Sequence, residues 1–453
     1  MTTQFSMTML LAAVAAGWSS SLALGQTPSN LPAVGEQVER VVQPGDSRPL
    51  SKSGGDAGEP VPASAENLSD RTLDEFIFLA QTGHPALREA SAKVGVAQGN
   101  AVQVGLPPNP SIFTSSPQWA GSVSQYNVVV GQDFITAGKL TLNRAAAERS
   151  VEQAQLDFTR TRFAVLTNVR TAFYAAATAQ QRTDVLRRLT EIAAQTRDVA
   201  KKLLQAGESN IADAALLDIE YDKAELAYRN SSTTLATTKK RLAAAVGIPE
   251  LQIGRLNFDL GVVLPDYEFE VVRLGVVDRN AIAAVAAVEI RKSQLELRRA
   301  VVEPWPNFNL QGGYQYGAKE PLHDQGYAQF TSTVPVWNRN QGGIRAAQAN
   351  TERAAASLGR VENDLSQRTA EAVGRYIAAS QRVKSYEEQL LPKTREVFRS
   401  NQSLFENGRT DILRLFQAQR TLIETDLGYI EAQEARWTAA ATIAGLLQLE
   451  QFP

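Results

Sequence analysis

Apolar positions along this chain keep two rhythms in a fixed order, and the order occurs twice. From Leu73 to about Val104 apolar residues recur at helical spacing, with a break at Gly83-His84-Pro85. At Leu106-Pro107-Pro108-Asn109-Pro110 a helix must stop. Two extended segments are predicted next, about Ser111 to Gln118 and Gln125 to Ile135; in the second, Tyr126, Val128, Val130 and Phe134 share a face. From Lys139 to about Leu204 the helical pattern runs unbroken, a length of roughly 95 Å at 1.5 Å per residue. Its lower half spaces Val185, Leu189, Ile192, Thr196, Val199 and Leu203 alternately by four and three, which predicts a heptad seam. A turn at Gly207 and a helix from Ile211 to Val246 follow, and Gly247-Ile248-Pro249 ends it.

The second pass begins after a mixed connector, residues 250–275, with short β-like pieces such as YEFEVV. A helix is predicted from about Val276 to Val302, stopping at Pro304-Trp305-Pro306. Strand alternation is then clear: Phe308, Leu310, Gly312, Tyr314 and Tyr316 against Asn309, Gln311, Gly313 and Gln315. Beyond a polar loop, Ala328, Phe330, Val334 and Val336 alternate with polar neighbours. A second run of about sixty residues, Gly343 to Phe405, reaches a turn at Gly408 and a last helix from Ile412 to about Leu447. Gly207 matches Gly408, Ile211 matches Ile412, and Asn210 matches Asp411 as helix N-cap.

Each half thus reads helix, strand pair, very long helix, tight turn, helix. The geometry expected is a long antiparallel helical shaft with strand pairs at one end and glycine turns at the other. Four strands per chain are too few to close a barrel, and open edges cannot exist in lipid. Strands of about ten residues with aromatics on one face and Asn or Gln on the other suit an outer-membrane barrel if three chains pool twelve strands.

Composition narrows this further. A chain of 453 residues with 43% hydrophobic residues would be an unusually large single core. The formal net charge of −2 provides no attraction to nucleic acid. There is no cysteine, which excludes a disulfide scaffold, a thiol nucleophile and Cys-ligated zinc; two histidines far apart, His84 and His323, argue against a His-based metal site or triad. No catalytic constellation, cofactor motif or metal-ligand set is visible, so no enzyme is expected. Residues 1–25 read as a signal peptide, with an apolar run from Met9 to Trp18 and a small-residue cleavage pattern before Gln26. Residues 26–69, rich in Pro, Gly and Ser, read as a flexible linker. The expected organisation continues with a first repeat at 70–249, a connector at 250–275, a second repeat at 276–448 and a tail at 449–453.

The chain resembles the TolC-like outer-membrane efflux proteins over about 70–448. The resemblance rests on His84-Pro85-Ala86-Leu87, Leu106-Pro107-Pro108-Asn109-Pro110, Thr136-Ala137-Gly138-Lys139, Ala172-Phe173-Tyr174, and Gly408 through Ala418-Gln419-Arg420-Thr421-Leu422. With Pro-Asn-Pro before its first strand and Ala-Gly-Lys after β-segment two, the chain is most similar to the CzcC-like branch associated with heavy-metal efflux pumps. The resemblance implies a mainly α fold with a membrane β-barrel: a homotrimer sharing a 12-stranded barrel above a periplasmic α-barrel. It implies a passive outer-membrane duct with a large periplasmic portion, handling heavy-metal cations or drugs. Its partners would be outer-membrane lipid, a periplasmic adaptor and an inner-membrane pump of the resistance-nodulation-division type. A type I secretion channel shares the fold, and a secreted coiled-coil tether is the reading from another class.

The resemblance places a periplasmic gate near Gly207 and Gly408. Where the best-known members carry pore-narrowing carboxylates after the second turn, this chain has Arg414 and Gln417. In the first repeat Asp213 takes the position of Arg414, and Glu208 that of Arg409. The expectation is that Asp213 and Arg414 alternate around a closed tip and hold it by ion pairs. Phe308, Tyr314, Tyr316, Phe330 and Trp337 are expected towards lipid or its interface, and Trp305 as a packing wedge.

Overall fold

A computed structural model describes residues 72–118, 125–207, 210–317, 325–407 and 409–452. They belong to one compact unit, residues 65–453. Helices α1 (Leu73–Gly83) and α2 (Pro85–Gln103) precede strands β1 (Ser111–Gln118) and β2 (Gln125–Phe134). The long helix α3 (Lys139–Gln205) and α4 (Ile211–Val246) complete the first pass. The second pass contains α5 (Phe269–Arg279), α6 (Ala281–Val302), β3 (Phe308–Gly317) and β4 (Gln325–Ser332). It ends with α7 (Gln341–Ser385), a π-helix (Tyr386–Leu390), α8 (Leu391–Glu406) and α9 (Ile412–Leu446).

The break between α1 and α2 is chemical. His84 sits in extended backbone as N-cap, its Nδ1 accepts the Ala86 N–H at 3.1 Å, and Pro85 occupies the first helical position, where no amide is missed. Burial lowers the His84 pKa. The second pass repeats the device with Asn280, whose Oδ1 accepts the Ile282 N–H at 2.9 Å. Each break also receives the end of the lower helix. A Cβ on Gly247 (φ +89°), just past α4, would come within 2.9 Å of His84, while Asn280 Nδ2 donates to the carbonyl of Leu446 at the end of α9. The short helices therefore stack end to end beside the long one, as their lengths lead one to expect.

Four expectations are corrected. Of the YEFEVV piece expected as β-like, Phe269 to Val272 instead begin a helix that runs to Arg279, because Val272 and Val276 recur at helical spacing and both are buried. The helix expected from Val276 is two helices divided at Asn280. The fourth strand ends at Ser332, short of Val334 and Val336, where Pro335 cannot donate to a ladder. The deepest seam of α3 is Leu186, Ala193 and Ala200, one heptad row beside the expected one, and Val199 is exposed. Alanine lets helices approach closely, so the small residues take the contact line and the larger ones flank it.

The strands form one antiparallel sheet in the order β1-β2-β3-β4. Its centre joins the two repeats: β2 pairs with β3 from Gln125↔Gly317 to Phe134↔Phe308. Below it, buried Lys139 at the start of α3 donates Nζ to the Trp305 carbonyl at 2.7 Å and to Asn307 Oδ1 at 3.0 Å. This bridge ties the exit of β2 to the entry of β3. The Trp305 indole itself is exposed, so it is no wedge within the chain; its backbone carries the contact.

The largest core lies midway along the shaft, where the connector after α4 crosses α3 and α9. Trp437 is fully buried, with ring centroids of Tyr174 at 4.8 Å and Phe258 at 4.9 Å, and its Nε1 donates to the Leu260 carbonyl at 3.1 Å. Gln180 bonds both backbone groups of Leu256. Buried Arg170 donates to the carbonyls of Leu449 and Glu450 and lies over the Phe452 ring, which fastens the C-terminal tail to the same belt. Burial pushes the pKa of the Tyr174 hydroxyl well up. Replacing Trp437 with Ala leaves a large cavity and removes a donor from the Leu260 carbonyl. The expected cost is about 3–5 kcal/mol, read as a lower Tm with the far-ultraviolet helical signal retained below it.

Candidate functional site

Two surfaces distinguish this fold from a plain helical shaft: the sheet and the helical tip at the opposite end. On the sheet, register puts Tyr126, Val128 and Val130 beside Tyr316, Tyr314 and Gly312 on one face, with Leu310 and Phe330 next to them. Tyr314, Tyr316 and Phe330 are exposed there. Phe134 stacks on Phe308 at 4.9 Å, and Phe308 meets Phe330 at 5.5 Å, forming a ring row at the helical end of the strands. The other face carries Ser115, Asn127, Asp133, Asn309, Gln311 and Gln315, interrupted by Phe113, Val129 and Tyr327; Asn309 donates to Asp133 and Asn127 to Ser115. An apolar outer face and a hydrated inner one are what a strand needs between lipid and a water-filled lumen. The outer edges of β1 and β4 have no strand partner in the sheet. Val334, Val336 and Trp337, just beyond β4, are exposed as well.

At the tip, α3 ends at Gln205 and Gly207 takes φ +75°, a conformation that an L side chain resists. Asn210 then caps α4 through the Asp213 N–H at 2.8 Å, and Asp411 takes the same N-cap place before α9. Asp213 is half-buried, whereas Arg409, Arg414 and Gln417 are exposed. Glu208, Gly408 and His323 lie outside the described residues. Among the described residues no ion pair joins Asp213 to Arg414 inside one protomer.

A different set of residues holds the two hairpins together. Ile412 and Phe416 of α9 pack with Leu217 of α4 and with Ala193 and Ala200 of α3, flanked by Tyr221 and Phe405. Above this cluster Arg420 of α9 meets Glu220 of α4 at 2.9 Å; the Glu220 side chain is only 11% exposed. Arg420 also holds Glu424, and these two carboxylates, Glu424 first, keep its guanidinium firmly protonated. Arg197 lies 4.1 Å over the Tyr221 ring and bonds Asp198, while Lys201 pairs with Asp218. Higher up, Asp426 of α9 has its pKa raised by burial, against the opposing pull of Arg395 and Arg188. A raised carboxylate destabilises the fold once ionised, so this contribution eases as pH falls through its folded pKa.

Sequence reasoning missed Glu220 and Arg420 as partners. Arg420 lay inside the recognised Ala-Gln-Arg-Thr-Leu motif, but its i,i+4 carboxylate Glu424 was an ordinary helical neighbour. Nothing local points to a partner two hundred residues away.

An open four-stranded sheet with segregated faces, set on paired helical hairpins, is the protomer of a channel. The chain belongs to the outer membrane efflux protein family, whose model matches residues 77–248 and 278–447. It is an outer-membrane channel subunit of a tripartite efflux system, and it is not an enzyme. Members of this family work with periplasmic adaptors and inner-membrane pumps. The chain is similar to the cobalt-zinc-cadmium resistance protein CzcC of Cupriavidus metallidurans, 21% identical over 376 residues, spanning 83% of this chain and 90% of CzcC. Its fold is similar to that of the transmembrane channel CusC, with TM-score 0.71, 14% identity, and coverage of 84% of this chain and 92% of CusC. It is also similar to the Neisseria gonorrhoeae MtrE outer membrane channel in its open state: TM-score 0.70, 15% identity, 83% of this chain and 88% of MtrE.

The Glu220–Arg420 contact crosses from one hairpin to the other at a partly shielded site. Arg420→Ala should loosen that contact and speed amide exchange in 412–424 and 212–224 about two- to fivefold, with exchange around Trp437 unchanged; the range follows from an exposed-to-half-buried pair worth under about 1 kcal/mol.

Proposed function

We propose that three copies of this chain form a passive export duct in the outer membrane, with twelve strands closing one barrel and the helical hairpins closing a periplasmic tunnel below it. The observation that carries this reading is the sheet: four strands, apolar on one face and amide-lined on the other, with two edges that need partners in lipid. Among the described residues no helix is long and apolar enough to cross a membrane. The tunnel docks on a periplasmic adaptor and an inner-membrane pump of the resistance-nodulation-division type, which supplies the energy. The similarity to a cobalt-zinc-cadmium resistance protein supports divalent heavy-metal cations as cargo. The matching test is growth: a strain lacking this chain should lose tolerance to zinc, cadmium or cobalt, and the gene should restore it. Restored drug tolerance alone would leave the duct and remove the metal cargo.

The helical tip is the gate of this duct. Asp213 and Arg414, equivalent positions in the two repeats, alternate around it and restrain it by ion pairs between neighbouring protomers. The purified protein in a planar bilayer should give discrete, small conductance steps. Reversing either charge, Asp213→Arg or Arg414→Asp, should raise the single-channel conductance, and the double reversal should lower it again. Unchanged conductance in both single variants would remove the gate, and a protein that salt extracts from membranes and that never conducts would remove the duct.

A further inference from the structure

The run from Gln341 to Glu406 is helical throughout but changes winding once, in the π-helix Tyr386–Leu390. Pro392 is the cause. It has no N–H for the carbonyl of Glu388, and its ring would press on that carbonyl in a regular α-helix. The Leu391 N–H instead reaches back to the Tyr386 carbonyl, five residues away, and the turn widens. The widened turn is fixed against α9. Tyr386 packs over Gly428, where a Cβ would collide with its hydroxyl, and Tyr429 donates to Glu387 at 2.7 Å.

The extra residue divides one apolar heptad into two stripes. Thr369, Tyr376 and Val383 are buried at sevenfold spacing, and the next positions in that series are Leu390, Val397 and Leu404. Those three are exposed, at 44%, 50% and 42%. Buried Leu391, eight residues after Val383, has taken over the inward phase, and half-buried Phe398 and Phe405 continue it. One added residue in a helix turns the remainder of that helix by about 100°. So α8 covers α9 with one stripe and keeps a second on its free side.

In the tip half the helices stand in a row, with α4 on α3, α3 on α9 and α9 on α8. The ends of the row are α4 and α8. The free side of α4 carries Ile211, Ile219 and Leu226, exposed at 77%, 51% and 60%. The two helices run in opposite directions, α4 away from the tip and α8 towards it. Taking 1.5 Å per residue, the α4 trio sits about 0, 12 and 22 Å above its tip end, and Leu404, Val397 and Leu390 sit about 3, 14 and 24 Å above theirs. Ile211, Ile219 and Leu226 each have a counterpart at about their own height; Leu216, also exposed, lies on a neighbouring row of α4. Lys393 lies in the α8 stripe and Asp222 in that of α4, close in height and opposite in charge. Neither has an ion pair among the described residues.

We infer that the π-helix presents Leu390, Val397 and Leu404 to the Ile211, Ile219 and Leu226 stripe of a second copy of this chain, with Lys393 facing the neighbour's Asp222. The contact is heterologous, end of row to start of row, and repeated around the threefold assembly proposed above it closes a ring. It rests on the assembly proposed above and adds to it the residues and the helical phase that make the tunnel wall.

The absence of cysteine makes the test direct. In the full-length protein in detergent, Ile219→Cys with Val397→Cys should oxidise to a covalent ladder between copies, and Ile219→Cys with Phe398→Cys should not. With the 219/397 pair in place, Lys393→Asp should slow crosslinking about two- to fivefold, as for an exposed ion pair, and adding Asp222→Lys should restore it. Molecular mass in detergent is measured on each variant. A trimer that crosslinks equally through position 398, or not through 397, overturns this interface and leaves the duct intact. A chain that stays monomeric before any substitution overturns both.

Discussion

A sheet placed in lipid has no water to satisfy its edges, and this chain has two such edges in each copy. The outer sides of β1 and β4 carry rows of backbone donors and acceptors that nothing in the sheet pairs. An unpaired backbone group in hydrocarbon costs several kcal/mol. The rest of the molecule is consistent with that constraint. The chain duplicates its strand pair, joins the two pairs at β2 and β3, and still falls short of closure. In the assembly proposed above, association of copies removes the edges, and the helical row below ends in two apolar stripes of matching height.

Duplication also explains where the chain is rigid and where it differs. The two passes share their breaks, at His84 and Asn280, and the same abutment of an upper helix on the end of a lower one. The belt around Trp437 then locks the middle of the shaft with aromatic packing and a saturated Leu260 carbonyl. At the tip the copies diverge: Asp213 stands where the second pass has Arg414. Only the second long helical run carries proline in its lower half, and only that run is wound with a π-turn. The first run, α3, stays α-helical from end to end and lies inside the row; the second ends at the row's edge.

Much of this was legible in the order of residues alone. Strand alternation around Phe308–Tyr316, the proline stops, the Gly207 turn and the order of elements all follow from local chemistry, since each depends on residues within a few positions. The apolar face of the sheet, with Phe308, Tyr314, Tyr316 and Phe330, was legible for the same reason. The Trp305 indole was misplaced because a Pro-Trp-Pro corner says where the backbone turns and not which side has room. The YEFEVV piece was misread because a short run with aromatic and β-branched residues fits either rhythm until its burial is known. The α3 seam was misplaced by one row because hydrophobic size marks flanks as readily as contact lines, and alanine carries little signal.

Sequence by itself determined the repeat, the order of its helical runs, their turns and the two-faced strands, all set by backbone sterics and periodicity. Only the tertiary structure decided which strands meet across the repeat, that Glu220 finds Arg420, and which of two apolar stripes α8 turns towards α9. Those choices depend on groups far apart in the chain, or on a single widened turn that rotates every residue after it. No local pattern encodes that sum.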